Sequence, residues 1–189
     1  MITILPYSPT WCNEFVRIGV PIRQALGDLA LRIDHIGSTA VPGLAAKDII
    51  DVQITVRSLD PAVEKALGRA GYARVVHIAQ DHVPPGGVTE RAEWAKWIFN
   101  PRASGRAANV HVRVEGRANQ RYPLLFRDYL RAHPAMAEAY AQVKQGLVAH
   151  RFDSSEAYYA VKDPVCDIIM GGAEGWAAVT GWRVGDSDC

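Results

Sequence analysis

Two stretches of alternating apolar and polar residues frame the early part of the chain. Leu29-Ala-Leu-Arg-Ile-Asp-His-Ile36 alternates as a half-buried strand does, and Ile49-Ile-Asp-Val-Gln-Ile-Thr-Val56 repeats the pattern. On the second strand Asp51, Gln53 and Thr55 share one face, while Ile50, Val52, Ile54 and Val56 take the other. A tight turn at Gly37-Ser38-Thr39 and a short Pro/Gly-containing linker join the two. Elsewhere the period changes to that of a helix. Trp11, Phe15, Ile18, Ile22 and Leu26 recur at helical spacing behind a start signal at Ser8-Pro9, with Gly19 and Pro21 as expected points of breakage. Ile2 to Leu5 reads as a short strand before this helix.

Downstream, Leu59 to Gly71 is predicted as a helix with a glycine stop and Tyr72 to Ala79 as a strand. Gln80 to Arg91 carries two prolines, two glycines and no periodicity, and is expected to form a loop long enough to cover a site. Glu93 to Asn100 and Ala107 to Glu115 form an expected antiparallel pair around the turn-rich Pro101 to Arg106. The last third is helical: Asn119 to His133, then Pro134 to about His150, then a helix from Asp153-Ser154-Ser155 to about Gly171 with a further piece to Trp182.

Composition adds one domain and few exclusions. With 49% hydrophobic and 22% charged residues in 189, the chain is expected to form a single domain over residues 1–184, followed by a disordered tail over 185–189. A net charge of +1 argues against a dedicated nucleic-acid binder. Cys12, Cys166 and Cys189 are odd in number and lack metal-ligand spacing, which reads as a reduced, cytoplasmic protein. No stretch reaches membrane-spanning length.

The candidate chemistry gathers near the glycine turn. Gly37 lets backbone approach a ligand, and the hydroxyls of Ser38 and Thr39 suit a phosphate. Asp51 sits in the middle of an apolar strand, where an unpaired carboxylate is costly unless a cation meets it. His35 and His111 either fill the core or join Asp51 in a metal or acid/base cluster, and His82 on the loop is a further candidate. Arg127 and Arg131, four residues apart, share a helix face. From Arg117 to Arg151 six cations (Arg117, Arg121, Arg127, Arg131, Lys144, Arg151) face only two acids, Asp128 and Glu138. By spacing alone that surplus is a solvated face. Lys162, in a stripe with Tyr158 and Cys166, either snorkels outward or reaches a triphosphate held at Gly37-Ser38.

The glycine-serine turn after a strand, followed by an Asp-bearing strand, resembles the signature of the nucleotidyltransferase superfamily. More narrowly, HIGSTAVPGLAAKDIIDVQ, LLFRDYLRAHP and YYAVKDPV are similar to the GrpB family, whose members stand alone or are appended to dephospho-CoA kinase. The resemblance runs from about Tyr7 to Trp182. It implies an α/β (α+β) fold: a nucleotidyltransferase-like mixed sheet with packed helices and a C-terminal helical bundle. It also implies an enzyme that binds a nucleoside triphosphate and a divalent ion, magnesium or manganese, and transfers a nucleotidyl or phosphoryl group to a small acceptor. Gly37, Ser38, Thr39, Lys47, Arg127, Arg131 and Lys162 would then hold phosphate, and Asp51 with His111 would hold metal, Gln53 or His111 assisting.

The chain departs from the superfamily pattern at Gln53, where a second acid is usual. His111 and Arg113 stand where a third is expected, which points to a single-metal site. The competing reading is a nucleotide- or CoA-related binding module without chemistry. An RNA-modifying enzyme is disfavoured by the charge balance.

Overall fold

The structure, a computed structural model, describes residues 2–103, 105–150 and 155–189. Its first helix, α1 (Thr10–Leu26), runs unbroken through Gly19 and Pro21. Placing Pro21 inside a helix costs roughly 3 kcal/mol. Burying Trp11, Phe15, Ile18, Ile22 and Leu26 against the sheet, at about 1.5–3 kcal/mol each, outweighs that, and the Pro21 ring faces solvent.

A five-stranded sheet follows: β1 (Arg32–Ile36), β2 (Ile50–Val56), β3 (Tyr72–Arg74), β4 (Lys96–Pro101) and β5 (Ala108–Val114), in the spatial order β1-β2-β5-β4-β3. β2 and β5 pair in parallel, and every other neighbouring pair is antiparallel. The sheet is therefore mixed, as expected. Helix α2 (Pro61–Arg69) starts where Asp60 accepts a hydrogen bond from the Ala62 amide at 2.7 Å. β3 stops five residues before the expected Ala79, and Val76 just beyond it is largely exposed. The strand expected from Glu93 begins at Lys96, because residues 91–94 form the short helix α3 (Arg91–Trp94). Ile2 to Leu5 makes no strand, only a single bridge between Leu5 and Ala46.

Helices α4 (Ala118–Ala132), α5 (Pro134–Ala149) and α6 (Ser155–Thr180) form the C-terminal bundle. α6 continues through Gly171, where a break was expected. The expected helix start at Asp153-Ser154, the cation Arg151 and Ser104 of the β4–β5 turn lie outside the described residues.

Two apolar cores result. One lies under the sheet, where Ile50, Val52, Ile54 and Val56 of β2 meet α1 and α2. The other joins α4, α5 and α6 to Val41, Leu44 and Ala45 of the linker. Between them runs the polar face of β2 and β5, which the alternation assigned to Asp51, Gln53 and Thr55.

The tail differs from its expectation. Cys189 donates its amide to the Ile33 carbonyl at 3.1 Å, Asp188 Oδ2 accepts the His35 amide at 2.8 Å, and Ser187 Oγ accepts the Ile33 amide at 2.8 Å. Residues 187–189 thus cover the free edge of β1, whose amides would otherwise lack partners. Among the described residues no helix is long and apolar enough to cross a membrane.

Candidate functional site

A cleft of about 430 Å³ opens between the polar face of the sheet and the bundle. Gly37, Ser38, Thr39, Lys47, Asp51, His111 and Lys162 all line it. Seven of the ten predicted site residues thus share one wall.

At the centre, Gly37 has φ +72° and leads out of β1. A Cβ there would stand 2.5 Å from Asp51 Oδ2, so a side chain is excluded both by the backbone and by the carboxylate. Asp51 Oδ1 accepts a hydrogen bond from Asn109 Nδ2 at 2.9 Å and faces His111 Nε2 at 3.7 Å. Parallel pairing of β2 with β5 sets this up, since Asp51 lies opposite Asn109 and Gln53 opposite His111. Burial alone would raise the Asp51 pKa. The nearby His111 imidazole, then the hydrogen bond from Asn109 and the charge of Lys47, hold it below the usual carboxylate value. His111 is lowered by burial and by the Arg113 guanidinium, with Asp51 opposing them.

Gln53 does not take part. It is fully buried, its Nε2 donates to the Gln120 carbonyl at 2.9 Å, and its Oε1 accepts from Arg113 Nη1 at 2.7 Å. Both ends of the amide are used, which corrects its assignment as an assisting group. Arg113 also forks onto Asp81, Nε to Oδ2 at 2.8 Å and Nη2 to Oδ1 at 3.0 Å, and Lys96 Nζ reaches Asp81 Oδ1 at 2.6 Å. These cations hold Asp81 well below the usual carboxylate range against the effect of burial. Asp81, from the expected covering loop, is an acid at the cleft that the sequence did not single out, and only its place in that loop marked it. Its neighbour His82 bonds Asp167 of α6 at 2.8 Å, so the loop ties the sheet side to the bundle.

At the other end, Lys144 Nζ donates to Ser38 Oγ at 2.9 Å and also to the Ala45 carbonyl. Lys144 is 2% exposed. Burial first, then the charges of Lys162 and Lys47, lower it to about 7, with the Cys166 thiol opposing. Lys47 donates to the Tyr159 hydroxyl at 2.5 Å, and Lys162 pairs with Asp163 at 3.2 Å. Sequence reasoning counted Lys144 among the surplus cations but not as a site residue, because four-residue spacing drew attention to Arg127 and Arg131 instead.

Those two arginines lie away from the cleft. Arg127 donates Nη1 to the His35 carbonyl at 3.0 Å and to Asp188 at 2.9 Å, and Nε to Asp128 at 2.8 Å. Arg131 Nε donates to the Ala40 carbonyl at 2.9 Å. The face of α4 that meets the cleft carries Asn119, Tyr122 and Phe126, and the arginines project from the adjacent face toward β1 and the turn after it. The remaining surplus is also paired: Arg117 meets Glu93, and Arg121 meets Glu174. Thr39 lines the cleft, but its hydroxyl lies 3.0 Å from His35 Nε2. His35 is a core histidine, stacked on Phe15 with centroids 4.8 Å apart and pushed down to about 4 by burial. Asp48, bound by Trp11 and Arg106, and Asp34, bound by Arg32, stand outside the cleft. Among the described residues no group of three or more His, Cys, Asp or Glu is placed to hold a metal ion.

The mixed sheet, the glycine-serine turn against an Asp-bearing strand, and the helical bundle across the cleft define an α+β protein with a polar cleft between sheet and bundle. The GrpB protein family matches residues 1–171, and the chain belongs to that family. A dephospho-CoA kinase of Mycolicibacterium paratuberculosis is 40% identical over 96% of this chain and 48% of its own length. The chain thus spans about half the length of the curated dephospho-CoA kinases it matches. A UPF0157 protein of Halalkalibacterium halodurans is 34% identical over 89% of this chain and 80% of its own. Among solved structures, the conserved protein GrpB from Enterococcus faecalis matches with TM-score 0.71 and 28% identity, over 92% of this chain and 99% of that one. Cid1, solved in complex with its short product ApU, matches with TM-score 0.50 and 16% identity over 75% of this chain and 42% of that one, a likeness of fold alone.

Proposed function

We propose that the cleft binds a nucleoside triphosphate and that the chain transfers a nucleotidyl or phosphoryl group to a small acceptor. One observation carries this reading. Lys144 bonds Ser38 in the Gly37-Ser38 turn and Lys47 lines the same cleft as Asp51, neither in an ion pair with a carboxylate among the described residues. The Lys47 ammonium, with the Lys144 amine and the Ser38 hydroxyl beside a positive-φ glycine, makes a site for phosphate oxygens. Lys162 supplies a third, already half-neutralised by Asp163.

Metal enters this reading in a reduced form. Two ions need more acid than the cleft offers, because Gln53 is locked and Asp81 is paired with Arg113 and Lys96. Asp51 with His111 would hold a single divalent ion, magnesium or manganese, which would neutralise phosphate charge.

The second reading, a nucleotide- or CoA-related binding module without chemistry, is favoured by the same Gln53 and Arg113. Calorimetric titration of ATP, GTP, CTP and UTP with magnesium or manganese, then with EDTA, separates the two. Metal-dependent binding of one nucleotide that weakens in Asp51→Asn supports the transferase. Binding that is indifferent to EDTA and to Asp51→Asn supports the module, and no binding at all removes both nucleotide readings.

A further inference from the structure

Phosphate binding alone does not account for the way Ser38 and Lys144 meet. Lys144, on α5, is 2% exposed and without a carboxylate, and its Nζ lies 2.9 Å from Ser38 Oγ. Its other neighbours are the Ala45 carbonyl oxygen and the Tyr140 ring, whose centroid is 4.6 Å away. Ser38 is half-buried at the cleft wall, carried there by the left-handed turn at Gly37. A serine hydroxyl within hydrogen-bond reach of a buried amine is the arrangement of an activated nucleophile. With its pKa brought down to about 7, Lys144 is to a large extent the free amine at neutral pH. In that form it donates one hydrogen to the Ala45 carbonyl and keeps a lone pair for the Ser38 proton.

We infer that Ser38 is a covalent nucleophile toward the bound nucleoside triphosphate, with Lys144 as its base. The inference rests on the cleft being a nucleoside triphosphate site. Ser38 Oγ forms a bond to the α-phosphorus, and the bond from that phosphorus to the pyrophosphate oxygen breaks. The serine proton passes to Lys144, which gives it to the departing pyrophosphate. The hydroxyl or amine of the acceptor then attacks the nucleotidyl-serine, and its proton returns through Lys144 to Ser38 Oγ. Two displacements take the place of one, and neither draws on the second metal-binding acid whose place Gln53 occupies.

The test is to incubate the protein with each of the four nucleoside triphosphates labelled at the α-phosphate, with no acceptor present, quench in acid and map the label. The expected result is label on Ser38, absent in Ser38→Ala and formed about a hundredfold or more slowly in Lys144→Met. Lys144→Arg, which keeps nitrogen donors for Ser38 and the Ala45 carbonyl and loses the base, separates a folding or binding defect from loss of proton transfer. It should bind nucleotide by calorimetry and still fail to label. Labelling in the parent protein should speed up as pH rises through 7. The groups facing Lys144 are Tyr140 on its own helix, Lys162 and Cys166 on α6, and Lys47. Nucleotide binding with no covalent label, or label on another residue, overturns the inference. Failure of the parent protein to bind any nucleotide overturns the reading beneath it, and the inference with it.

Discussion

A Cβ on Gly37 would lie 2.5 Å from the carboxylate oxygen of Asp51, so the turn and the acid are built to touch. Gly37→Ala is expected to cost about 1–3 kcal/mol from the left-handed backbone, with the displaced carboxylate added to it. Gly43→Ala is the control, since Gly43 also has positive φ (+80°) but nothing lies within 4 Å of its Cβ position. Denaturant melts should show the larger loss at Gly37, and only that variant should lose nucleotide affinity.

Asp51→Asn removes the cleft's central charge while keeping its shape and the approach of Asn109. Metal-dependent turnover should vanish while the melting temperature stays within a few degrees of the parent. Unchanged turnover would remove Asp51 from the assignment.

His35 should make the fold acid-sensitive. Its pKa falls from about 6.5 unfolded to about 4 folded, because burial against Phe15 disfavours the imidazolium. Between these values the unfolded chain binds more protons, so stability rises with pH across pH 4–6.5 and is lost on acidification. The full effect is about 3 kcal/mol. Urea melts at several pH values check it, and His35→Phe should flatten the slope in that window.

Arg127 is expected to be a stability residue. Arg127→Ala removes a charged donor from Asp188, which keeps the His35 amide, and from the buried His35 carbonyl, and should cost about 1–3 kcal/mol. Deleting residues 186–189 should cost less, because the arginine keeps Asp128 and the His35 carbonyl, and nucleotide affinity should be unaffected. A fall in affinity on deletion would show that the tail acts on the cleft.

Much of this was legible in the sequence. The alternation of Ile50 to Val56 gave both faces of β2, and Gly37-Ser38 followed by Asp51 marked the centre of the cleft. What escaped was set by contacts far apart along the chain. Lys144 meets Ser38 across 106 residues, and Asp81 meets Arg113 across 32. Helical spacing showed that Arg127 and Arg131 share a face but not which neighbour that face meets. The tail looked disordered because polar residues such as Asp186, Ser187 and Asp188 carry no periodicity. Their order comes from the unpaired amides of β1, which no local pattern reveals.

The two apolar cores meet across the cleft, and their halves are joined there by polar ties: Lys144 to Ser38, His82 to Asp167 and Lys47 to Tyr159. A ligand lodged in that seam acts as mortar. At a hundred times its dissociation constant it adds about 2.7 kcal/mol to the folded state. Resistance to protease then becomes a gauge of occupancy that needs no knowledge of the reaction.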